Sequence, residues 1–278
     1  MTAIGIMQGR LLPAIDGRIQ AFPWACWTQE FDTAREMGFD LVEFIFEGPS
    51  EATHPLMTEE GRSRILERID ATGVRVGSVC ADYFMEHPLH RGDTAARARS
   101  VDVLRRLVEG AAAVGAVAVE IPCVDHASLD GSREEDALCT SLADIPQTSL
   151  EQHVRILLET DLPPLRFSRL LQRLDGHVGA NYDTGNSASL GYDPVAEVRV
   201  LAPWIKNVHV KDRVLGGTTV PLGQGAAQFD AFFAALGDAG YEGPLVLQTA
   251  RDPDDLGVAR RYLAMVKSWA RNHLGKAR

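Results

Sequence analysis

Residues 178–212 read VGANYDTGNSASLGYDPVAEVRVLAPWIKNVHVKD and contain one complete strand–helix–strand unit. The short apolar runs at 178–182 and 205–210 have the length and composition of buried strands. Between them, Asp193 stands at the N-cap position and Pro194 in the first turn of a helix over residues 194–201. This stretch predicts one repeat of an α/β fold.

The same alternation extends in both directions to the ends of the chain. Strands are predicted at residues 4–7, 41–46, 74–80, 117–121, 154–159, 178–182, 205–210 and 245–247. Helices are predicted at residues 29–37, 58–71, 94–114, 132–143, 165–174, 194–201, 229–236 and 256–273. Because no linker or low-complexity segment interrupts these units, they predict a single (β/α)₈ TIM-barrel domain over residues 1–278. A doubly wound open sheet is the alternative, but Gly5–Arg10 lacks the G-x-G-x-x-G spacing of its dinucleotide-binding form.

The composition of the chain argues against nucleic acid and membranes as partners. The chain has 278 residues and a formal charge of −10, which argues against nucleic acid because its binders need a basic face. No apolar run approaches the ~20 residues of a membrane helix. The four cysteines (Cys26, Cys80, Cys123 and Cys139) show no metal-binding spacing, and no signal peptide precedes Ile4. We expect reduced thiols in a cytoplasmic protein that acts on a small molecule.

Four polar residues each close a short apolar run: Glu159, Asp183, His209 and Gln248. In a TIM barrel the carboxyl ends of the strands form the active-site face, so these side chains are expected to converge there. Two carboxylates, an imidazole and an amide oxygen suit manganese, magnesium, cobalt or zinc better than copper. Purely structural roles at the strand ends are the alternative for each of them.

Other polar residues fall at the same predicted strand ends. We expect substrate contacts from Asn186, Arg213 and Arg251, although an arginine there could instead form a structural salt bridge. Cys80 is interpreted as a small buried hydrophobe rather than a nucleophile. The glycines of 222–225 (LGQG) are interpreted as turn formers, since no lysine follows at P-loop spacing.

Several of these motifs together resemble a known family. The runs LETD (158–161), NYDTGN (181–186), VHVKD (208–212), LGQG (222–225) and LVLQ (245–248) are similar to the xylose isomerase-like barrel superfamily, and most of all to its sugar phosphate isomerases and epimerases. The resemblance implies a TIM barrel with a metal held by a glutamate on strand five, an aspartate on strand six and a histidine on strand seven. These positions match Glu159, Asp183 and His209.

The chain departs from the family pattern at two positions. Strand eight usually supplies a glutamate that binds the metal and also transfers a proton, whereas Gln248 has no useful proton affinity near pH 7. A symmetric two-base epimerisation is therefore in doubt. Asn186 stands where related enzymes often have histidine, and together with the acidic charge this argues against a DNA-repair AP endonuclease with three zinc ions.

Because Gln248 cannot serve as a second base, we expect a one-base, metal-assisted reaction in which Glu159 removes a proton next to a substrate carbonyl and an enediolate forms. Glu120, Lys211 and a metal-bound water are the candidate second proton donors. The expected enzyme is an isomerase or epimerase of a small sugar, sugar phosphate or sugar acid, with one divalent ion, manganese first. A dehydratase acting on a keto-inositol or keto-sugar and a catalytically degenerate sugar-binding barrel are the alternatives. Members of the family commonly form dimers or tetramers, which implies a homo-oligomer.

Overall fold

The computed structural model of the chain describes residues 2–48, 51–143, 145, 152–174 and 176–275. Eight strands close a barrel in the order β1-β10-β7-β6-β5-β4-β3-β2. They are β1 Ile4–Met7, β2 Leu41–Ile45, β3 Arg75–Cys80, β4 Ala118–Cys123, β5 Arg155–Thr160, β6 Val178–Asp183, β7 Ile205–Val210 and β10 Leu245–Leu247. Two further short strands, β8 (Asp212–Arg213) and β9 (Thr219–Val220), pair antiparallel. The predicted (β/α)₈ fold is confirmed.

Helices follow the strands as the sequence predicts, with ends that shift by one or two residues. They are Gln29–Met37, Glu59–Thr72, Tyr83–Glu86, Thr94–Ala113, Ser132–Leu142, Pro164–Arg173, Thr184–Ser189, Pro194–Leu201, Phe229–Asp238 and Asp255–His273. Three single-turn 3₁₀ helices occupy Glu51–Thr53, Pro55–Met57 and Asp125–Ala127. The short helices at 83–86 and 184–189 were not predicted because neither has an apolar period. Within the described residues, no helix is both long and apolar enough to cross a membrane.

Contacts along the chain divide it into two compact units. The first unit contains Met1–Val42 and Asn181–Arg278, and the second contains Glu43–Ala180. The prediction of one domain over residues 1–278 stays a prediction. No disulfide joins the four cysteines, which all lie in the described part of the chain.

In the first unit, β10 is the central strand. It pairs in parallel with β1, where Gly5 faces Val246, and with β7, where Val246 faces His209. Aromatic rings pack the helices behind these strands: Tyr182 stacks on Phe232 with ring centroids 4.8 Å apart. Stacking of this kind fixes how the helix Phe229–Asp238 lies against the end of β6.

In the second unit, β3, β4, β5 and the start of β6 form consecutive parallel pairs. Cys80 faces Glu120 and Glu120 faces Leu157 across these pairs. Because side chains alternate along a strand, Glu159 lies on the same face of the sheet as Glu120. The sheet register therefore directs two buried carboxylates to one side.

Capping groups mark the ends of three helices, and the N-cap predicted at Asp193 is confirmed. The carboxylate of Asp93 accepts a hydrogen bond from the Ala96 amide at 2.7 Å, and Asp193 accepts one from Val195 at 3.0 Å. Gly38 ends the first helix with φ of 82°, a left-handed conformation that glycine adopts at low cost.

A buried carboxyl group, Glu197, ties the end of β6 to the helices that follow it. The Tyr182 hydroxyl donates to Glu197 at 2.6 Å and the Ser187 hydroxyl donates to it at 3.1 Å. Burial raises the pKa of Glu197 to about 7, although both hydrogen bonds favour the ionised form.

The raised pKa of Glu197 predicts a specific pH dependence of stability. Between pH 4.5, the ordinary pKa of a glutamate, and about 7, the folded state binds more protons than the unfolded chain, so this group makes the protein less stable as pH rises through that window. As pH rises through this window, the free energy of unfolding of the wild type should fall by a contribution on the order of 2–3 kcal/mol from Glu197. In Glu197→Gln this contribution should be absent. Urea denaturation of both proteins at several pH values measures it.

The exposed Glu242→Gln is the matched control and should leave the pH dependence of the wild-type protein unchanged. Equal slopes for the wild type and Glu197→Gln between pH 4.5 and 8 would contradict the assignment.

Candidate functional site

Asp183 uses its two carboxylate oxygens for different tasks. Its Oδ1 accepts hydrogen bonds from the backbone amides of Gly185 and Asn186, both at 2.8 Å, and so caps the helix Thr184–Ser189. Its Oδ2 lies 3.2 Å from Lys211 Nζ and 3.9 Å from His209 Nδ1. The cap orients the side chain and leaves Oδ2 to face cationic or ligating groups.

His209 is oriented by two buried asparagines. Asn181 Nδ2 lies 3.0 Å from His209 Nδ1, and Asn207 Nδ2 donates to Asn181 Oδ1 at 2.9 Å. Spacing by two residues places Asn181 on the same face of β6 as Asp183, and Asn207 on the same face of β7 as His209. With Asn181 as donor, the neutral imidazole carries its lone pair on Nδ1, the nitrogen that faces Asp183.

Three side-chain oxygens converge on the ammonium group of Lys211. Its Nζ lies 3.2 Å from Asp183 Oδ2, 3.2 Å from Gln248 Oε1 and 3.4 Å from Asn186 Oδ1. The Lys211 side chain is only 16 % exposed, so water screens these contacts weakly. This part of the first unit is therefore arranged around a positive charge. Carboxylate, amide oxygen and imidazole nitrogen are also donors that manganese, magnesium and zinc accept, so the residues present fit a divalent ion.

The other end of the Gln248 amide contacts a residue that sequence reasoning missed. Gln248 Nε2 donates to Gln20 Oε1 at 3.1 Å, and Arg10 donates to the same oxygen at 3.3 Å. Arg10 is itself held by the carbonyl of Thr249 at 3.0 Å. Gln20 lies in the loop after β1, where no periodicity or motif marks it.

A buried glutamate fixes the first turn of that loop. Glu30 accepts hydrogen bonds from the amides of Gly9 at 2.7 Å and Leu11 at 3.0 Å. Burial raises the pKa of Glu30 to about 7, opposed by these hydrogen bonds and by the charges of Arg10 and Arg251. The loop that carries Arg10 is therefore anchored at its base.

Arg251 belongs to the same anchor. Its guanidinium donates to the Gly9 carbonyl at 2.7 Å and pairs with Asp255 at 2.7 Å. The predicted substrate contact of Arg251 stays a prediction, and these bonds give the residue a structural role as well.

Arg213 and Asp212 organise the segment after β7. Arg213 donates to Asn186 Oδ1 at 2.9 Å and to the Gly217 carbonyl at 2.9 Å. Asp212 accepts from the amides of Gly223 at 2.8 Å and Gly225 at 2.9 Å, which closes the LGQG segment as a turn. Gly223 has φ of +84°, in keeping with the turn former read from the sequence.

The second unit contributes a group of buried carboxylates on β2, β4 and β5. Glu43, Glu120 and Glu159 are each at most 5 % exposed, and the Ser78 hydroxyl donates to Glu43. Burial raises the pKa of the Cys80 thiol, and the charges of neighbouring carboxylates raise it further. A thiol in that environment stays protonated, which agrees with a packing role for Cys80.

The structure thus brings together, in the first unit, five of the predicted site residues: Asn186, Asp183, His209, Lys211 and Gln248. Glu120 and Glu159 lie in the second unit on one face of its sheet. The roles assigned to all of them stay predictions. Asn181 and Asn207 could have been found in the sequence, because each precedes a predicted ligand by two residues on a strand.

Curated relatives are sugar epimerases. The chain is 27% identical over 273 residues to L-ribulose-5-phosphate 3-epimerase from Escherichia coli, covering 91% of each chain. A solved L-ribulose 3-epimerase has 18% identity, a TM-score of 0.77 and coverage of 98% of this chain and 96% of that one. Epimerases are isomerases, so the predicted enzyme class is confirmed.

A second solved structure shares the fold. A xylose isomerase-like TIM barrel protein from Mycobacterium smegmatis, in complex with magnesium, has 17% identity, a TM-score of 0.73 and coverage of 99% of this chain and 98% of that one. Residues 31–269 match the profile of the family described as the xylose isomerase-like TIM barrel. With its closed eight-stranded barrel and its epimerase relatives, this chain belongs to the xylose isomerase-like TIM barrel family.

Proposed function

We propose that the chain is a divalent-metal-dependent epimerase of a small ketose or ketose phosphate that works through an enediolate. The observation that carries this proposal is the convergence of Asp183 Oδ2 and Gln248 Oε1 on one cation, each 3.2 Å from Lys211 Nζ. His209 Nδ1 lies beside the same carboxylate oxygen. A site built this way stabilises positive charge in a largely buried place.

The proposed ligands are Glu159, Asp183, His209 and Gln248. The first three are buried and have the ligand types that divalent ions take, and they match the family's pattern. Gln248 offers a neutral amide oxygen in place of the usual carboxylate. Bound there, the ion acts as a Lewis acid that lowers the pKa of the C–H bond next to the substrate carbonyl.

Glu159 is the proposed base. Its carboxylate takes the proton from the carbon next to the ketose carbonyl; the electron pair of that C–H bond forms a C=C bond while the carbonyl π pair moves onto oxygen, giving an enediolate. Returning a proton to the same carbon from the opposite side inverts that centre, and returning it to the neighbouring carbon isomerises the sugar. Gln248 cannot return this proton, because an amide has no suitable pKa. Lys211 and Glu120 are the proposed donors.

The substrate class follows from chemistry that the relatives support. The E. coli relative is named for a ketopentose phosphate, so L-ribulose 5-phosphate is the first compound to test. Arg213 is the cation of the first unit that we propose to contact the phosphate, beside Asn186, whose Oδ1 it contacts at 2.9 Å. Manganese is the proposed resident ion.

Metal content tests the ligand set. Asp183→Asn keeps an oxygen for the helix cap but removes the charge that a divalent ion requires. We expect about one divalent ion per wild-type chain and a large loss in the variant, measured by elemental analysis after dialysis against manganese. Asp193→Asn, a second capping aspartate on an exposed helix start, is the control and should retain the metal. Equal metal content in both variants would exclude Asp183 as a ligand.

Solvent exchange tests the base. In D₂O, wild-type protein with L-ribulose 5-phosphate should incorporate deuterium at the inverted carbon. Glu159→Gln should slow this by roughly 10²–10⁴-fold, because the amide cannot accept the proton. The product is followed by ¹H NMR, with manganese content measured on the same sample. Undiminished exchange in the variant would remove Glu159 from the mechanism, and no exchange by metal-loaded wild type with any ketose tried would favour a binding barrel.

Lys211 should oppose metal binding while supporting turnover. Removing its ammonium with Lys211→Met leaves Asp183 Oδ2 and Gln248 Oε1 without their present cation. We expect the Kd for Mn²⁺ to fall by about fivefold and kcat to fall as well. Titration calorimetry of the metal-free proteins measures the first effect. Lys206→Met, an exposed lysine on β7, the strand that ends just before Lys211, is the control. A weaker Mn²⁺ affinity in Lys211→Met than in this control would contradict the prediction.

A further inference from the structure

We infer that Gln20 is a positioning residue for the proposed metal site. Gln20 orients the Gln248 amide so that Gln248 Oε1 faces the other proposed ligands. The inference rests on the proposed function, because only that function makes Gln248 Oε1 a metal ligand. A hydrogen bond joins the two side chains, from Gln248 Nε2 to Gln20 Oε1 at 3.1 Å.

Arg10 determines the orientation of Gln20. A guanidinium only donates hydrogen bonds, so the atom of Gln20 that Arg10 contacts at 3.3 Å must be the amide oxygen. That oxygen then accepts from the next group as well. Gln248 therefore presents its NH₂ group to Gln20, and its own oxygen points the other way.

The opposite end of Gln248 agrees with this orientation independently. Lys211 also only donates, and its Nζ lies 3.2 Å from Gln248 Oε1. A group that only donates hydrogen bonds thus lies at each end of the Gln20–Gln248 pair, Arg10 at one end and Lys211 at the other. Reversing either amide would set two donors or two acceptors against each other.

The loop geometry makes this arrangement rigid. Arg10 is 4 % exposed and is bonded through Nε to the carbonyl of Thr249, the residue after Gln248. A second donor from Arg10 reaches the Ile19 carbonyl, next to Gln20. One guanidinium therefore holds the backbone beside both partners of the amide pair.

The pairing explains why position 248 is an amide. A glutamate there would turn a carboxylate oxygen toward Gln20 Oε1, where Arg10 already holds an acceptor. Gln248 is thus matched to Gln20 as a directed neutral ligand, and it need not be the remnant of a lost site.

The experiment compares Gln20→Met with Gln20→Glu. Methionine has similar length but no strong acceptor, whereas glutamate keeps an acceptor for both Arg10 and Gln248. The readouts are the Kd of the metal-free protein for Mn²⁺ and the side-chain ¹H–¹⁵N resonances of Gln248, identified by their loss in Gln248→Met. We expect Gln20→Met to weaken Mn²⁺ binding on the order of tenfold and to move the Gln248 resonances toward free-amide positions. Gln20→Glu should keep both near wild type.

A double-mutant cycle separates positioning from a general effect of the loop. In the Gln248→Met background, Gln20→Met should weaken Mn²⁺ binding no further, because its effect acts through the amide. The inference is overturned if Gln20→Met leaves the Gln248 resonances and the Mn²⁺ affinity unchanged. It is also overturned if Gln20→Glu loses as much affinity as Gln20→Met, or if the two losses simply add. Thermal unfolding of each variant verifies that it is folded.

The Mn²⁺ affinity and the Gln248 resonances together distinguish a failure of this inference from a failure of the proposed function. If wild-type protein binds no Mn²⁺, the proposed metal site fails, and a shift of the Gln248 resonances in Gln20→Met then supports the amide orientation alone. If wild type binds Mn²⁺ and those resonances do not respond to Gln20→Met, the positioning role fails while the metal site stands.

Discussion

The capping of one helix by Asp183 is the interaction on which the first unit's site depends. A carboxylate has two oxygens, and the amides of Gly185 and Asn186 hold one of them at 2.8 Å. The second oxygen is thereby directed at Lys211 and His209 without rotational freedom. Gly185 permits this, because a Cβ there would lie 2.7 Å from the Lys211 side chain. A short helix that lacks any apolar pattern thus orients a charged group.

In this region, polar side chains orient one another through side-chain hydrogen bonds rather than through the backbone. Asn207 holds Asn181, which holds His209, and Arg10 holds Gln20, which holds Gln248. Buried polar groups are costly when unsatisfied, so each link restricts the next to one orientation. The first chain fixes the plane of the His209 ring, and the second ends on Gln248 Oε1, whose lone pair faces a cation. Preorganised donors of this kind spare a metal the cost of ordering its own ligands.

The sequence predicted the barrel because its signals are local and repeated. Each strand is a short apolar run, and caps such as Asp93 and Asp193 need only a few neighbouring residues to act. Strand-end placement then pointed to Asp183, His209 and Gln248 as candidates through the general geometry of TIM barrels. Gln20 could not be found in this way. Its contact with Gln248 joins residues 228 positions apart and depends on how an aperiodic loop folds around Arg10.

Replacing a carboxylate by an amide at position 248 changes the charge balance of the proposed reaction. In the first unit the proposed ligands then carry one formal negative charge, on Asp183, with the Lys211 ammonium beside it. A divalent ion in a buried site is stabilised by more negative charge than this, and Glu159 is the proposed ligand that would supply it. The same carboxylate is the proposed base, and coordination lowers its proton affinity. A base that is also a metal ligand is weak, so the C–H bond that it deprotonates must be unusually acidic. This requirement favours substrates with a hydroxyl group beside the carbonyl, as in ketoses.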